Sequence, residues 1–295
     1  MGAVLLLLLS GPQHLDIAPF ARPCCAADRH TLQTMFDFGH PAGPVRRADG
    51  VWVMGLQWTE ERDIARIHVR FHPAARPVPP QVEYWSNHWP LPRPQSHTVE
   101  DRVDDPWQGT WRRARVEARC EGRLCGIAFL PLEPSENPNA KHLPGAPYRR
   151  TMKIRLLFPP GERPAADSVQ VFSPSLAKRF ELRLRLGSAK PQWEVYNGWI
   201  RSVRREGGDW LLEVEGADPQ PPGSNDVTVV KVRLGGRAFS FAPADAERGP
   251  MYLPDFDAHV ALVSDPTPLT TASVRKCHRI RERIAAEPEQ SYERA

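Results

Sequence analysis

The sequence predicts an all-β protein: two antiparallel β-sandwich domains followed by one C-terminal helix. Three observations predict it. Apolar and polar residues alternate at period two from residue 51 onward, the spacing of half-buried antiparallel strands. Proline, at 32 of 295 residues, runs at about twice its usual share of roughly 5% and works against long helices. Paired glycines stand between apolar runs, where tight hairpins require positive φ.

In the stretch 64–71, Ala65, Ile67, Val69 and Phe71 share one face while Arg66, His68 and Arg70 share the other. The stretch 179–186 repeats the pattern, with Phe180, Leu182, Leu184 and Leu186 opposite Arg179, Glu181, Arg183 and Arg185. Further strands are expected at 51–58, 81–85, 114–120, 126–130, 152–158 and 168–172. A second series is expected at 193–196, 199–204, 210–215, 227–234, 237–241 and 259–263, with Gly207-Gly208 and Gly235-Gly236 as hairpin turns. Pro-rich connections at 73–80 and 131–147 are long enough to carry function or to wrap a sandwich end. Composition changes again at 188–191, which divides the chain into a first domain over 30–187 and a second over 192–265. Residues 271–286 hold no Pro or Gly, and Val274, Cys277, Ile280 and Ile284 fall at helical spacing. A helix at 271–287 follows, with Ser273 as N-cap and Pro288 as its stop. It either packs back on the second sandwich or leads into a further domain.

The charge is close to balanced, 39 basic against 35 acidic residues, net +4. The charges alternate along strands rather than clustering, which argues against a nucleic-acid stripe. No run approaches the roughly 20 apolar residues of a membrane-spanning helix. Residues 1–29 read as a signal-like or disordered N-terminus: the apolar run 3–9 resembles the core of a secretory leader, but no Lys or Arg precedes it. Export to a secreted or periplasmic location is one reading, and a mis-assigned start with a cytoplasmic protein is the other.

Of the five cysteines, Cys24-Cys25 are adjacent and Cys277 is isolated, a poor basis for a metal site. Cys120 and Cys125 bracket a four-residue turn and are a disulfide candidate or two free thiols. No cofactor is expected, although the loop acids Asp255 and Asp257 offer oxygen ligands for calcium.

Six of the nine tryptophans fall between residues 52 and 111. Trp52, Trp58 and Trp85 lie in or beside expected strands and read as core. Trp89, Trp107 and Trp111 read as loop residues, and flat rings at a sandwich rim stack on the apolar faces of sugars while polar neighbours fix orientation. Asn87, His88 and Arg62 are the expected polar partners, and Asp104 and Asp105 stand nearby. Packing of these rings against the sandwich is the competing reading.

The run Gly50-Val51-Trp52-Val53 through Leu56-Gln57-Trp58 to Phe71, then Val82-Glu83-Tyr84-Trp85 and Ser168-Val169-Gln170-Val171-Phe172-Ser173, resembles a galactose-binding-like jelly roll, the superfamily of discoidin and coagulation-factor type C modules. The resemblance covers roughly residues 30–187 and implies a carbohydrate- or surface-binding β-sandwich, without a residue-by-residue transfer of binding positions. The second series, with Gly235-Gly236-Arg237-Ala238-Phe239-Ser240-Phe241 and Tyr252-Leu253-Pro254-Asp255-Phe256-Asp257, resembles accessory β domains of large bacterial glycosidase-like proteins. That implies a catalytic domain in the same polypeptide beyond residue 295.

Short catalytic signatures such as G-x-S-x-G, H-E-x-x-H, G-x-x-x-x-G-K-[ST] and G-x-G-x-x-G do not occur. The acids Asp104, Asp105, Asp255 and Asp257 read as turn formers rather than a glycosidase pair. The expectation is therefore a non-catalytic carbohydrate-recognition or scaffolding region of a larger exported bacterial protein. The alternatives are an accessory region of a glycoside hydrolase or lyase, and a protein–protein interaction module.

Overall fold

The computed structural model describes residues 14–24, 44–87, 109–138, 143–186, 190–218 and 224–269. These form antiparallel strands linked by turns, and their only helical pieces are short 3-10 turns. The all-β class read from the period-two alternation is observed. The helix expected at 271–287 and the leader-like run 3–9 lie outside the described residues. No helix among the described residues is long and apolar enough to cross a membrane.

The chain divides into two compact units. The first comprises residues 16–174 with 223–225, and the second comprises 1–15, 175–222 and 226–295. The division falls at Pro174–Ser175, inside a 20-residue strand, whereas composition placed a boundary at 188–191. The two halves of that strand have different pairing partners, which residue composition does not report.

In chain order β1 (His14–Asp16) straddles the division, and the strands of the first unit are β2 (Arg22–Cys24), β3 (Val45–Arg46), β4 (Trp52–Ile64), β5 (Arg66–Phe71), β6 (Gln81–Asn87), β7 (Gly109–Arg113), β8 (Val116–Glu121), β9 (Leu124–Phe129), β10 (Arg149–Phe158) and the first half of β11 (Ala166–Arg185). One sheet runs β2-β4-β10-β6-β7, with β3 also on β4. The other runs β11-β5-β9-β8, with β1 on β11. Ile67, Val69 and Phe71 of β5 are buried as the alternation requires, as are Ile127 of β9 and Ile154, Leu156 and Phe158 of β10. Phe71 meets Phe158 edge to face at 6.2 Å, joining one sheet to the other.

The pairing of β10 with β4 is irregular: Thr151 lies opposite Arg62 and Lys153 opposite Gln57. Two steps on β10 thus match five on β4, a bulge that re-aims side chains. The Thr151 hydroxyl donates to the Trp85 carbonyl at 2.7 Å and accepts from the Lys153 amide at 3.2 Å, replacing ladder bonds that the bulge removes.

The second unit holds the rest of β11 with β12 (Gln192–Tyr196), β13 (Trp199–Glu206), β14 (Asp209–Asp218), β15 (Val229–Leu234), β16 (Arg237–Phe241), β17 (Met251–Leu253), β18 (Ala258–Leu262) and β19 (Thr267–Pro268). Strand β11 pairs with β14, which pairs with β13, while β18 and β19 also pair with β11, and β17 with β18. A separate sheet runs β12-β15-β16. Phe180, Leu182, Leu184, Leu212, Val214 and Val260 share one core with Val230, Val232, Phe239 and Phe241 of that separate sheet. Gly207 and Gly208 (φ 57° and 100°) close β13–β14, and Gly235 and Gly236 (φ 53° and 86°) close β15–β16. Both are the two-residue turns the glycine pairs predict.

Candidate functional site

The tryptophan-rich segment folds as the β6–β7 hairpin at one edge of the first unit's β2-β4-β10-β6-β7 sheet. Trp85 and Trp111 are direct cross-strand partners, their rings 5.4 Å apart and edge to face. Such pairs contribute about 0.5–1.5 kcal/mol beyond their burial. Trp111 therefore sits in the middle of a strand, which corrects its expected place in a loop. The run Gly109-Thr110-Trp111-Arg112-Arg113 offers little apolar alternation, so only pairing with β6 identifies it as strand.

Lys153 and Arg155, two apart on β10, project to the tryptophan side. The Lys153 ammonium lies 4.7 Å from the centre of the Trp85 ring, and the Arg155 guanidinium lies 4.3 Å from that of Trp111. Both distances are within cation–π range. Arg155 also donates to Glu83 of β6. Val53 packs against Trp111 and against Val51. Among the described residues, the buried side-chain atoms without a hydrogen-bond partner on these strands include Trp111 Nε1, a donor, and Gln57 Oε1, an acceptor on the residue opposite Lys153. Buried polar atoms left unmatched are costly and are a reason to look for a ligand.

The hairpin strands end at the Asn87–Gly109 pair. Asn87 is thus the last residue of β6, and Gly109 is the first of β7. His88, Trp89 and Trp107 belong to the connection 88–108 and lie outside the described residues, as do Asp104 and Asp105. Arg62, the other expected polar partner, is on β4 and only 3% exposed. Its guanidinium pairs with Glu60 at 2.9 Å and donates to the Asn225 carbonyl at 2.8 Å. Trp58 and Trp85 are buried. Trp52 donates from Nε1 to the Gly161 carbonyl at 3.0 Å.

Behind the hairpin lies a polar cluster that the sequence reading missed. Glu136 and Asn137 come from the Pro-rich 131–147 connection. Arg149 of β10 binds both Glu136 carboxylate oxygens, at 2.6 and 2.7 Å, and donates to the Leu130 carbonyl at 2.9 Å. Its guanidinium lies over the Tyr84 and Phe129 rings at 5.9 and 5.4 Å, and Asn137 donates to Ser86 at 2.9 Å. Burial first, then the Glu136 carboxylate, pushes the Tyr84 phenol up to about 12, against the pull of Arg149. The signal available was a lone Glu-Asn in a Pro-rich loop, which has no periodicity to mark it.

Cys120 and Cys125 are opposite one another on β8 and β9, with Cα atoms 4.0 Å apart, and are joined as a disulfide. Asp255 and Asp257 sit in the 3-10 turn and bend between β17 and β18. Among the described residues no group of three or more His, Cys, Asp or Glu side chains is arranged to hold a metal ion. Comparison with protein-family models, with curated proteins and with solved structures finds no match to this chain.

Proposed function

We propose that the first unit is a jelly-roll β-sandwich that recognises carbohydrate without catalysis, through its β6–β7 hairpin. The observation that carries this reading is the Trp85–Trp111 pair flanked by Lys153, Arg155 and Glu83, with the Trp111 Nε1 donor and the Gln57 Oε1 acceptor unspent. Sugars present apolar C–H faces together with hydroxyls that both donate and accept, and suit rings set among polar groups of both kinds. Arg155 occupies one face of Trp111, so Trp111 anchors the site, and Trp89 and Trp107 are assigned the stacking role. Asn87 and His88 are assigned the polar role, and Arg62 is tied to Glu60 and the Asn225 carbonyl. The second unit is read as a further sandwich, and the chain as a region of a larger exported bacterial protein, by its resemblance to glycosidase accessory domains.

The test is binding of the intact chain to immobilised glycans, before and after substitution. Trp107→Ala and Trp111→Ala should each weaken retention by roughly tenfold or more, with folding followed by circular dichroism. Retention of every bound glycan at wild-type strength by both folded variants overturns the assignment.

A further inference from the structure

The second unit carries an aromatic surface unlike the first. Tyr252 of β17 is 53% exposed, although its neighbours Met251 and Leu253 pack on the core. Two contacts hold this exposed ring. Its direct cross-strand partner is His259 of β18, and the two rings lie 4.5 Å apart at 32°. Its hydroxyl donates to the Asp257 carboxylate at 3.2 Å, and that bond chiefly pushes the phenol above its ordinary value, so the proton stays in place. Asp257 itself adopts the left-handed conformation, φ 44°, which Asp tolerates better than most residues. The turn is pinned by Arg237, which donates to the Asp255 carbonyl at 2.8 Å and lies 4.5 Å from the Phe256 ring centre.

On the other side of His259 the sheet continues to Arg185 of β11, its direct partner. The Arg185 side chain is 72% exposed and bonds Asp209 at 3.2 Å through Nε. One outward row therefore presents an open ring, an imidazole and a guanidinium, with a carboxylate at one end.

We propose that Tyr252, His259, Asp257 and Arg185 form a saccharide-binding platform on the second unit. A neutral pyranose stacks its C–H face on the free side of Tyr252. Its adjacent hydroxyls donate to Asp257 and accept from Arg185, with His259 able to do either. A phosphorylated or other strongly anionic partner is disfavoured, because Asp257 stands beside the ring and Asp209 offsets Arg185. The platform goes beyond the function proposed for the first unit and does not depend on it.

The test uses the intact chain with isotope-labelled histidine, its His259 resonance assigned with His259→Gln. Methyl β-galactopyranoside, methyl β-glucopyranoside and methyl α-mannopyranoside are the probes. At least one should shift the His259 resonance saturably. Tyr252→Ala should then weaken that sugar by roughly tenfold or more, Tyr252→Phe by about threefold or less, and Trp111→Ala not at all. If Tyr252→Ala fails to fold, Asp257→Asn, which keeps a residue tolerant of the left-handed turn, should still weaken binding by about threefold or more. The proposal fails if none of the three sugars moves His259, or if the variants bind as wild type. Binding abolished by Trp111→Ala alone would uphold the first unit's site and overturn this one.

Discussion

Arg149 and Glu136 form a two-point ion pair inside the first unit, Nε to Oε1 at 2.6 Å and Nη2 to Oε2 at 2.7 Å, with side-chain exposures of 1% and 3%. Parallel N–H···O bonds fix orientation as well as charge. Glu136 belongs to a long connection and Arg149 begins β10, so the pair ties that connection to the sheet next to Tyr84.

Removing one partner leaves the other charge buried and unmatched. Glu136→Gln should cost about 3–5 kcal/mol of unfolding free energy. The double substitution Glu136→Leu with Arg149→Met should cost less than Glu136→Gln alone, because neither charge remains. Urea unfolding of the three chains checks the order. A Glu136→Gln variant within about 0.5 kcal/mol of wild type, the range of an ordinary surface change, would contradict it.

His68, on β5, has its pKa lowered to about 4, chiefly by burial and then by Arg66 and Arg70, with Asp16 pulling the other way. The folded state therefore resists protonation that the unfolded chain accepts near 6.5. Stability is fully present above about pH 6.5, falls as the pH drops through the window between the two values, and levels off near 4. The loss attributable to His68 is on the order of 2–3 kcal/mol after allowance for its partial exposure. Denaturant unfolding at pH 7 and pH 4.5 should show a smaller difference for His68→Gln than for wild type. Equal differences would remove His68 as the cause.

The Cys120–Cys125 bond closes a short loop across β8 and β9. Closing a loop of that length restricts the unfolded chain by about 2 kcal/mol. Reduction should lower the unfolding midpoint accordingly, and Cys120→Ser should match the reduced protein. Insensitivity of the midpoint to reductant would mean the two sulfurs are not joined in solution.

Much of the strand pattern was legible because its causes are local. Alternation in 64–71 and 179–186 follows from a backbone that turns successive side chains to opposite faces. The two Gly-Gly pairs mark their hairpins because a type I′ turn needs two positive φ values in a row. Trp58 and Trp85 read as core from their neighbours alone. The placement of Trp111 was not legible: the run Gly109–Arg113 lacks apolar alternation, and its position depends on β6 arriving alongside.

Local sequence marks the apolar face of the alternating stretches 64–71 and 179–186 and the two Gly-Gly turns. Tertiary structure decided that Trp111 lies against Trp85 with Arg155 over its ring, that Glu136 meets Arg149, and that the units part inside β11. The reason is one of range. Alternation and turn conformation are set by neighbouring residues, whereas each of these relationships depends on pairing or packing between strands brought together by chain closure. Tyr252 and His259 show both halves at once: each is an outward position of a short strand, and only the β17–β18 register stacks one ring on the other.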